Sequence, residues 1–204
     1  MVQSGLVMGA WGNLSCRIAG ENSIVITPSG IGYDRLSSND MVKVDMDGKC
    51  LEGRWKPSSE LKMHLAIYRS RPGVHAVVHT HSPYASALAV AREEIPPILE
   101  ELVLSVGGGV KVAGYAPAGS VELADAVVTA LQEGNAALLA NHGVVGLGTT
   151  PEEAFVVCQT VEKAAQVYVL ARQIGKPAIL SEQEVLELRE SCARNYGQKQ
   201  EMIE

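Results

Sequence analysis

Histidines follow an apolar run in two places along the chain. In the first, residues 76–78 (Ala-Val-Val) lead into His79 and His81. Because side chains at i and i+2 of an extended strand leave the same face, the two imidazoles should point the same way where this strand ends. Two neutral imidazoles can share one metal ion, although a lone His-x-His pair is also consistent with two ordinary polar residues.

The second apolar run, 136–140 (Ala-Ala-Leu-Leu-Ala), leads into Asn141, His142 and Gly143. If the two strands end side by side, they deliver His142 to the first pair of histidines. Three neutral imidazoles with one open position form a catalytic metal site, most often for zinc. Taken alone, His142 could instead be a hydrogen-bonded turn residue before Gly143.

Small polar residues cluster at three turns and could bind an anion. The clusters are Gly-Asn-Leu-Ser at 12–15, Thr-Pro-Ser-Gly at 27–30 and Lys-Pro-Ser-Ser-Glu at 56–60. Backbone N–H groups and serine hydroxyls at a helix start can hold a phosphate without a lysine. Ordinary turns and a helix cap would have the same composition. Glu60 lies in the first turn after the serines, where its charge is favoured, and it could serve as a base.

Length and composition indicate one domain that spans residues 1–204. Of the 204 residues, 47% are hydrophobic and 20% are charged, which is enough to bury a core. The 17 basic and 23 acidic residues give a net charge of -6 without a basic run, so we expect no nucleic-acid partner. No apolar run is long enough for a membrane span. The four scattered cysteines are typical of reduced thiols in a cytoplasmic protein.

The order of apolar patterns predicts the elements that position these residues. Strands are predicted at 14–18, 23–27, 41–46, 76–81, 136–140 and 143–147, and helices at 58–70, 82–91, 120–131, 151–173 and 181–195. The region 94–118 is the least regular, and its pattern allows strands at 102–106 and 110–113. This mixture of hairpins and helices predicts an α/β fold in which helices cover both sides of a mostly antiparallel central sheet.

The motifs together resemble those of one known family. Gly-Asn-Leu-Ser (12–15), Thr-Pro-Ser-Gly (27–30), Pro-Ser-Ser-Glu (57–60), His-Thr-His (79–81) and Asn-His-Gly (141–143) occur in the order and at the distances seen in the class II aldolase and adducin family. The resemblance covers nearly the whole chain. Several motifs in register are far more specific than any one of them.

The resemblance implies a metal site, a phosphate site and the class II aldolase fold. The metal would be one Zn²⁺ per subunit, with Mn²⁺ or Co²⁺ as alternatives. Its implied ligands are His79, His81, His142 and, when no substrate is bound, Glu60. The implied phosphate site consists of Asn13, Ser29, Gly30, Ser58 and Ser59.

The implied reaction is cleavage of a ketose 1-phosphate, such as L-fuculose 1-phosphate, to dihydroxyacetone phosphate and a small aldehyde such as L-lactaldehyde. The metal would stabilise an enediolate, and Glu60 would move the proton, so no lysine is required for a Schiff base. Glu60 favours an aldolase, since the epimerases of the family carry aspartate there. The alternatives are a dehydratase, decarboxylase or 4-epimerase on a related ketose phosphate, and a non-catalytic adducin-like scaffold, which the complete ligand set disfavours.

Two further acid/base candidates follow from the resemblance. Tyr196 before Gly197 matches a C-terminal family tyrosine that a neighbouring subunit supplies, which implies a C4 homotetramer with active sites at its interfaces. An exposed tail tyrosine is the alternative. Glu101, or Glu100, lies where the family aldolases have an active-site tyrosine, and a solvated glutamate pair is the alternative there.

Two other histidines are not expected to bind the metal. His64 follows Glu60 by four residues and shares its helix face, and His75 precedes the first histidine strand. His64 could lie beside the metal site without binding the metal, but the pattern favours an exposed histidine.

Overall fold

The computed structural model describes the fold of residues 1–195, which form eight strands in one sheet and six α-helices. The strands are β1 Asn13–Arg17, β2 Ser23–Ile26, β3 Val42–Asp45, β4 Cys50–Glu52, β5 Ala76–Thr80, β6 Lys111–Ala113, β7 Ala136–Leu139 and β8 Gly143–Gly148. The helices are α1 Leu61–Ser70, α2 Pro83–Ala91, α3 Glu100–Val106, α4 Val121–Leu131, α5 Pro151–Ile174 and α6 Glu182–Asn195.

The sheet is mostly antiparallel, as predicted. Its strand order is β4-β3-β2-β1-β5-β8-β7-β6, and β6 and β7 are its one parallel pair. β5 lies in the middle, between β1 and β8. The strand that carries His79 is therefore bordered on one side by the strand of the Gly-Asn-Leu-Ser motif and on the other by the strand that follows His142.

Helices cover both faces of this sheet. In β7, Ala137 and Leu139 pack with α1 and α4, whereas Ala136 and Leu138 pack with α2, α3 and α5. This alternation follows from the two-residue period of a strand, and both faces are apolar because neither meets water. The predicted α/β architecture with helices on both sides is confirmed.

Two predictions about the elements were wrong or incomplete. Residues 102–106 belong to α3 and not to a strand. Leu102, Val103 and Val106 are buried at helical spacing, and Gly107 ends the helix in the left-handed region at φ 99°. The exposed edge strand β4 was missed, because three residues without a buried side chain carry no periodic signal.

The helices and the cysteines bear on membrane insertion and on thiol reactivity. None of the helices within 1–195 is long and apolar enough to cross a membrane. Cys16, Cys50 and Cys158 are free. Burial raises the pKa of Cys158 to about 12 and that of Cys16 to about 11, so neither is a reactive thiolate at neutral pH.

Candidate metal centre

The histidines lie at the ends of neighbouring strands in the middle of the sheet, where β1, β5 and β8 run side by side. His79 is the fourth residue of β5, and His81 follows the end of that strand. His142 lies in the turn before β8, which pairs with β5 so that Thr80 faces Val144. The two apolar runs form β5 and β7, which, contrary to expectation, are not neighbours, because β8 lies between them. The histidines still converge on one point as predicted, because His142 lies in the turn that leads from β7 into β8.

Glu60, His79, His81 and His142 form a compact cluster whose potential ligand atoms all lie within 4.8 Å of one another. The Nε2 atoms of His79 and His81 are 2.9 Å apart. Glu60 Oε2 is 3.2 Å from His79 Nε2, and Glu60 Oε1 is 3.4 Å from His142 Nε2. Neighbouring ligand atoms of a tetrahedral site with bonds of about 2.0–2.1 Å are about 3.3 Å apart, so this set fits one divalent ion.

The chemistry of the ligand atoms also suits a metal. His79 Nδ1 lies 3.0 Å from the carbonyl oxygen of Val144 and must donate a proton to it, which leaves the Nε2 lone pair facing the cluster. Glu60 Oε1 is buried and has no hydrogen-bond partner. A buried carboxylate oxygen without a partner is costly unless a cation occupies the space before it.

Burial controls the charge of these groups. It lowers the pKa of His79 to about 4 and also lowers that of His81, so both imidazoles are neutral at pH 7 and able to bind a metal. Burial alone would raise the pKa of Glu60. The adjacent His79 and His142, together with the Asn13 amide, outweigh it and keep the pKa of this carboxyl below its ordinary value.

Two glycines of the motifs are required by close backbone contacts. Gly12 has a φ of 74°, and a β-carbon there would lie 2.6 Å from the carbonyl oxygen of His79 and 2.7 Å from Cγ1 of Val7. A β-carbon on Gly143 would collide with the backbone of Thr80. These glycines let β1 and β8 approach β5 closely enough to bring the ligands together.

The predicted phosphate residues line the same cavity as three members of the Glu60, His79, His81 and His142 cluster. This cavity of about 270 Å³ is bordered by Asn13, Ser29, Gly30, Ser58 and Ser59 together with Glu60, His81 and His142. Two backbone hydrogen bonds of 3.0 Å, Ser29 N to Lys56 O and Ser58 N to Thr27 O, hold the two serine loops side by side. Chain segments far apart in the sequence therefore form one polar wall.

The structure places the other predicted residues elsewhere. Glu101 is exposed on α3 and forms an ion pair of 2.7 Å with Lys163 of α5. Neither it nor the exposed Glu100 lines the cavity of the metal cluster. Tyr196 lies outside the described residues, so its role stays a prediction. His75 is exposed and does not belong to the cluster.

The expectation that His64 is exposed was wrong, because its side chain is completely buried. Its Nε2 is 2.5 Å from Asn13 Oδ1, and its Nδ1 is 2.6 Å from Ser15 Oγ. Burial lowers the pKa of His64 to about 3, so the ring is neutral. The signal that could have found it is its position four residues after Glu60, on the same face of α1. Trp11 was also missed. It borders the cavity, and its ring centroid is 5.7 Å from that of His81.

Comparisons with known proteins agree with this geometry. The family described as Class II Aldolase and Adducin N-terminal domain matches residues 1–169. The chain is 39% identical to the 5-deoxy-D-ribulose 1-phosphate aldolase of Bacillus thuringiensis serovar kurstaki, over 98% of this chain and 92% of that protein. It is 37% identical to the 5-methylthioribulose-1-phosphate/5-deoxyribulose-1-phosphate aldolase of Rhodospirillum rubrum, over 95% and 86%.

A solved structure gives the same result for the fold. L-fuculose 1-phosphate aldolase superposes with a TM-score of 0.91 at 36% identity, covering 94% of this chain and 90% of that one. The family match, the two relatives and the superposed structure agree with a cluster of one carboxylate and three imidazoles beside a polar wall. The chain therefore belongs to the class II aldolase and adducin family and is an enzyme of the lyase class.

Proposed function

We propose that the protein is a metal-dependent aldolase that cleaves a ketose 1-phosphate to dihydroxyacetone phosphate and a small aldehyde. The observation that carries this proposal is the shared cavity, in which Glu60, His81 and His142 lie beside the serine loops. A phosphate held by those loops places the adjacent hydroxyketone at the metal cluster. Lewis acid chemistry at that point makes a Schiff-base lysine unnecessary.

The metal is proposed to be Zn²⁺, one per subunit. Its ligands would be Nε2 of His79, His81 and His142, with Glu60 as the fourth when no substrate is bound. Bound there, the ion supplies Lewis acidity toward the oxygens of the hydroxyketone. Three imidazoles and a carboxylate suit zinc, although Mn²⁺ and Co²⁺ accept the same ligand types.

The phosphate is proposed to bind Asn13, Ser29, Gly30, Ser58 and Ser59. With a net charge of -6, the protein has no general attraction for anions, so local donors must hold the phosphate. Ser29 and Ser59 are exposed toward the cavity and have hydroxyls to donate. The Asn13 amide has two hydrogens, of which one goes to Glu60 and the other is available to a phosphate oxygen.

Glu60 is proposed to transfer a proton to or from C3 of the substrate. In the cleavage direction, the C3–C4 bond breaks and the C4 hydroxyl gives up its proton as the aldehyde forms. Glu60 then delivers a proton to C3 of the enediolate, which yields dihydroxyacetone phosphate. Tyr196 of a neighbouring subunit is proposed to accept the C4 hydroxyl proton, which requires a C4 homotetramer with sites at its interfaces.

The end of the sugar that leaves as aldehyde is proposed to be apolar. A cavity of about 260 Å³ next to His81 is bordered by Val7, Met8, Trp11 and Pro83. The sugar phosphates in the names of the three proteins compared above end in a methyl or methylthio group. Burial of such a group in an apolar pocket is favourable, whereas a substrate hydroxyl buried there would have no hydrogen-bond partner. We therefore propose 5-deoxyribulose 1-phosphate as substrate, with L-fuculose 1-phosphate as the next candidate.

A substrate panel tests this proposal. The matched pair is 5-deoxyribulose 1-phosphate and ribulose 1-phosphate, which differ by one hydroxyl, and L-fuculose 1-phosphate is added. Release of dihydroxyacetone phosphate is followed with a coupled dehydrogenase. We expect a higher kcat/KM for the deoxy sugar than for its hydroxylated partner. Failure of every ketose 1-phosphate to release dihydroxyacetone phosphate would refute the aldolase assignment.

A second candidate reaction is favoured by the acidic pair on α3. Either Glu101 or Glu100 lies near the position at which the family aldolases have an active-site tyrosine, and a carboxylate there could serve a dehydratase, decarboxylase or 4-epimerase on a related ketose phosphate. The same panel distinguishes these reactions when the products are analysed by NMR. A dehydrated, decarboxylated or epimerised product without dihydroxyacetone phosphate would favour the second candidate.

A further inference from the structure

A continuous line of buried hydrogen bonds leads from α1 to the carboxylate of Glu60. We propose that His64 and Asn13 are positioning residues that fix one oxygen of Glu60 and leave the other free for proton transfer. This inference rests on the proposed function, because it assigns a purpose to the orientation of the carboxylate.

The line consists of four contacts between buried groups. Glu60 Oε2 accepts from Asn13 Nδ2 at 2.9 Å, and Asn13 Oδ1 lies 2.5 Å from His64 Nε2. His64 Nδ1 is 2.6 Å from Ser15 Oγ, which is 2.9 Å from the hydroxyl oxygen of Tyr68. The exposed fraction is 0% for His64 and Ser15 and 5% for Asn13 and Glu60, so water does not compete for these bonds.

One arrangement of protons satisfies every contact. A carboxylate only accepts, so the amide NH₂ of Asn13 must face Glu60 and its Oδ1 must face His64. His64 therefore carries its proton on Nε2 and accepts at Nδ1 from the Ser15 hydroxyl. Tyr68 then shares its single hydroxyl proton between Ser15 Oγ and the Ser15 carbonyl oxygen, each 2.9 Å from the phenol oxygen. Every donor in the line points toward Glu60.

This direction has a consequence for the two carboxylate oxygens. Oε2 is held by Asn13, whereas Oε1 has no hydrogen-bond partner and lies 3.4 Å from His142 Nε2. Without the Nε2–H donor of His64, the Asn13 amide could turn over and present its oxygen to the carboxylate. Asn13 Oδ1 and Glu60 Oε2, both acceptors, would then face each other, and Oε2 would lose its hydrogen bond. His64 thus acts on Glu60 by fixing the orientation of Asn13.

Variants of His64 test this role. His64→Met fills the space without a donor, whereas His64→Gln keeps an N–H that can reach Asn13. We expect His64→Met to lower kcat about 10- to 100-fold with KM near the wild-type value, the usual effect of losing a partner behind a metal ligand. Proton exchange at C3 of dihydroxyacetone phosphate should slow in parallel, and His64→Gln should recover part of both rates.

A matched control removes destabilisation as an explanation. Ile67→Val changes a fully buried residue of the same helix that packs in the core and not in the line. It should lower the melting temperature and leave kcat and the exchange rate unchanged. Metal content, measured on each purified variant, should stay near one ion per chain in His64→Met.

The proton arrangement can be measured without turnover. Long-range ¹⁵N NMR of the wild-type protein should show His64 neutral with its proton on Nε2, and a proton on Nδ1 would overturn the proposal. An active wild type with a His64→Met variant of equal kcat, or one that changes KM alone, would overturn the positioning role only. A wild type that neither cleaves substrate nor exchanges the C3 proton would overturn the proposed function and this inference with it.

Discussion

Two glutamates at helix starts, Glu60 before α1 and Glu101 in the first turn of α3, lie in opposite surroundings. Glu60 is 5% exposed, and its carboxylate meets groups from three separate segments of the chain: Asn13, His79 and His142. Glu101 is exposed and meets a single partner, Lys163. Both residue types can move protons, so surroundings and not residue type decide which one is ready to do so.

The difference is one of energy as well as contacts. An exposed ion pair such as that of Glu101 is worth about 0–1 kcal/mol, because water solvates both charges when they separate. A buried carboxylate has no such alternative and stays where its partners place it. A proton-transfer group benefits from a fixed geometry, so the expected effects of substitution fall steeply from the Glu60 region to the Glu101 region.

The largest effect is expected from removing the metal. His79→Ala, or chelation of the wild type, should abolish bound metal and reduce cleavage at least about 10⁴-fold, since several kcal/mol of charge stabilisation is lost. Acid should do the same as the pH falls toward 4, because burial sets the pKa of His79 to about 4 and ligation needs the neutral ring. Elemental analysis and a chelator titration with zinc add-back measure this. Full activity in chelator would contradict it.

Glu60→Gln should have the next largest effect. The amide keeps the shape of the side chain and can still contact Asn13, but it cannot carry the proton. We expect turnover to fall about 10²- to 10⁴-fold while most of the metal is retained on the three histidines. Turnover and metal content are measured on the same sample. Loss of both metal and fold would make Glu60 a structural residue instead.

The contrast also separates what the sequence could predict from what it could not. The position of His79 and His81 on one face follows from the period of a strand and was correct. The assumption that the two apolar strands lie side by side was wrong, because β8 separates β7 from β5. His142 still meets the pair, because it lies in the turn before β8, which is the neighbour of β5. The mostly antiparallel sheet was predictable from local patterns, since each hairpin and each helix start leaves its own signal.

Contacts between distant segments were not predictable in this way. His64 is buried because Asn13 and Ser15, about fifty residues earlier, supply partners for both ring nitrogens, and no local pattern records that. The short apolar run at 102–106 allows a strand as well as a helix, because it fits both periods, and the structure shows a helix that ends at Gly107. The residues proposed to bind phosphate could be named from the motifs, but the hydrogen bond from Asn13 to Glu60 needed the fold.

Tyr196→Phe should have a smaller effect than Glu60→Gln. If the phenol accepts the C4 hydroxyl proton, cleavage should slow about 10- to 100-fold while proton exchange on dihydroxyacetone phosphate continues, because that exchange uses Glu60. Mixing the inactive His79→Ala protein with Tyr196→Phe after dissociation should restore part of the activity, since some rings pair an intact cluster with an intact tyrosine. Mixed rings that form and stay inactive would show that Tyr196 does not act across the interface.

The smallest effect is expected from Glu101→Gln, and Lys163→Gln is its matched control. If the pair is only an ion pair of the surface, each substitution should lower the free energy of unfolding by less than about 1 kcal/mol. The double variant should cost no more than either single one, and turnover should stay within about tenfold of the wild type. Denaturant titrations and kinetics on the four proteins measure this.

The same four proteins also test whether Glu101 is catalytic after all. Glu101 lies outside the cavity of its own chain, so any catalytic role must be exerted on the site of a neighbouring subunit. In that case Glu101→Gln would slow turnover about as strongly as Glu60→Gln. Lys163→Gln would not, because the lysine only pairs with Glu101 and transfers no proton in the reaction. That result would place both glutamates in one assembled site and favour the dehydratase, decarboxylase or epimerase reaction over simple cleavage.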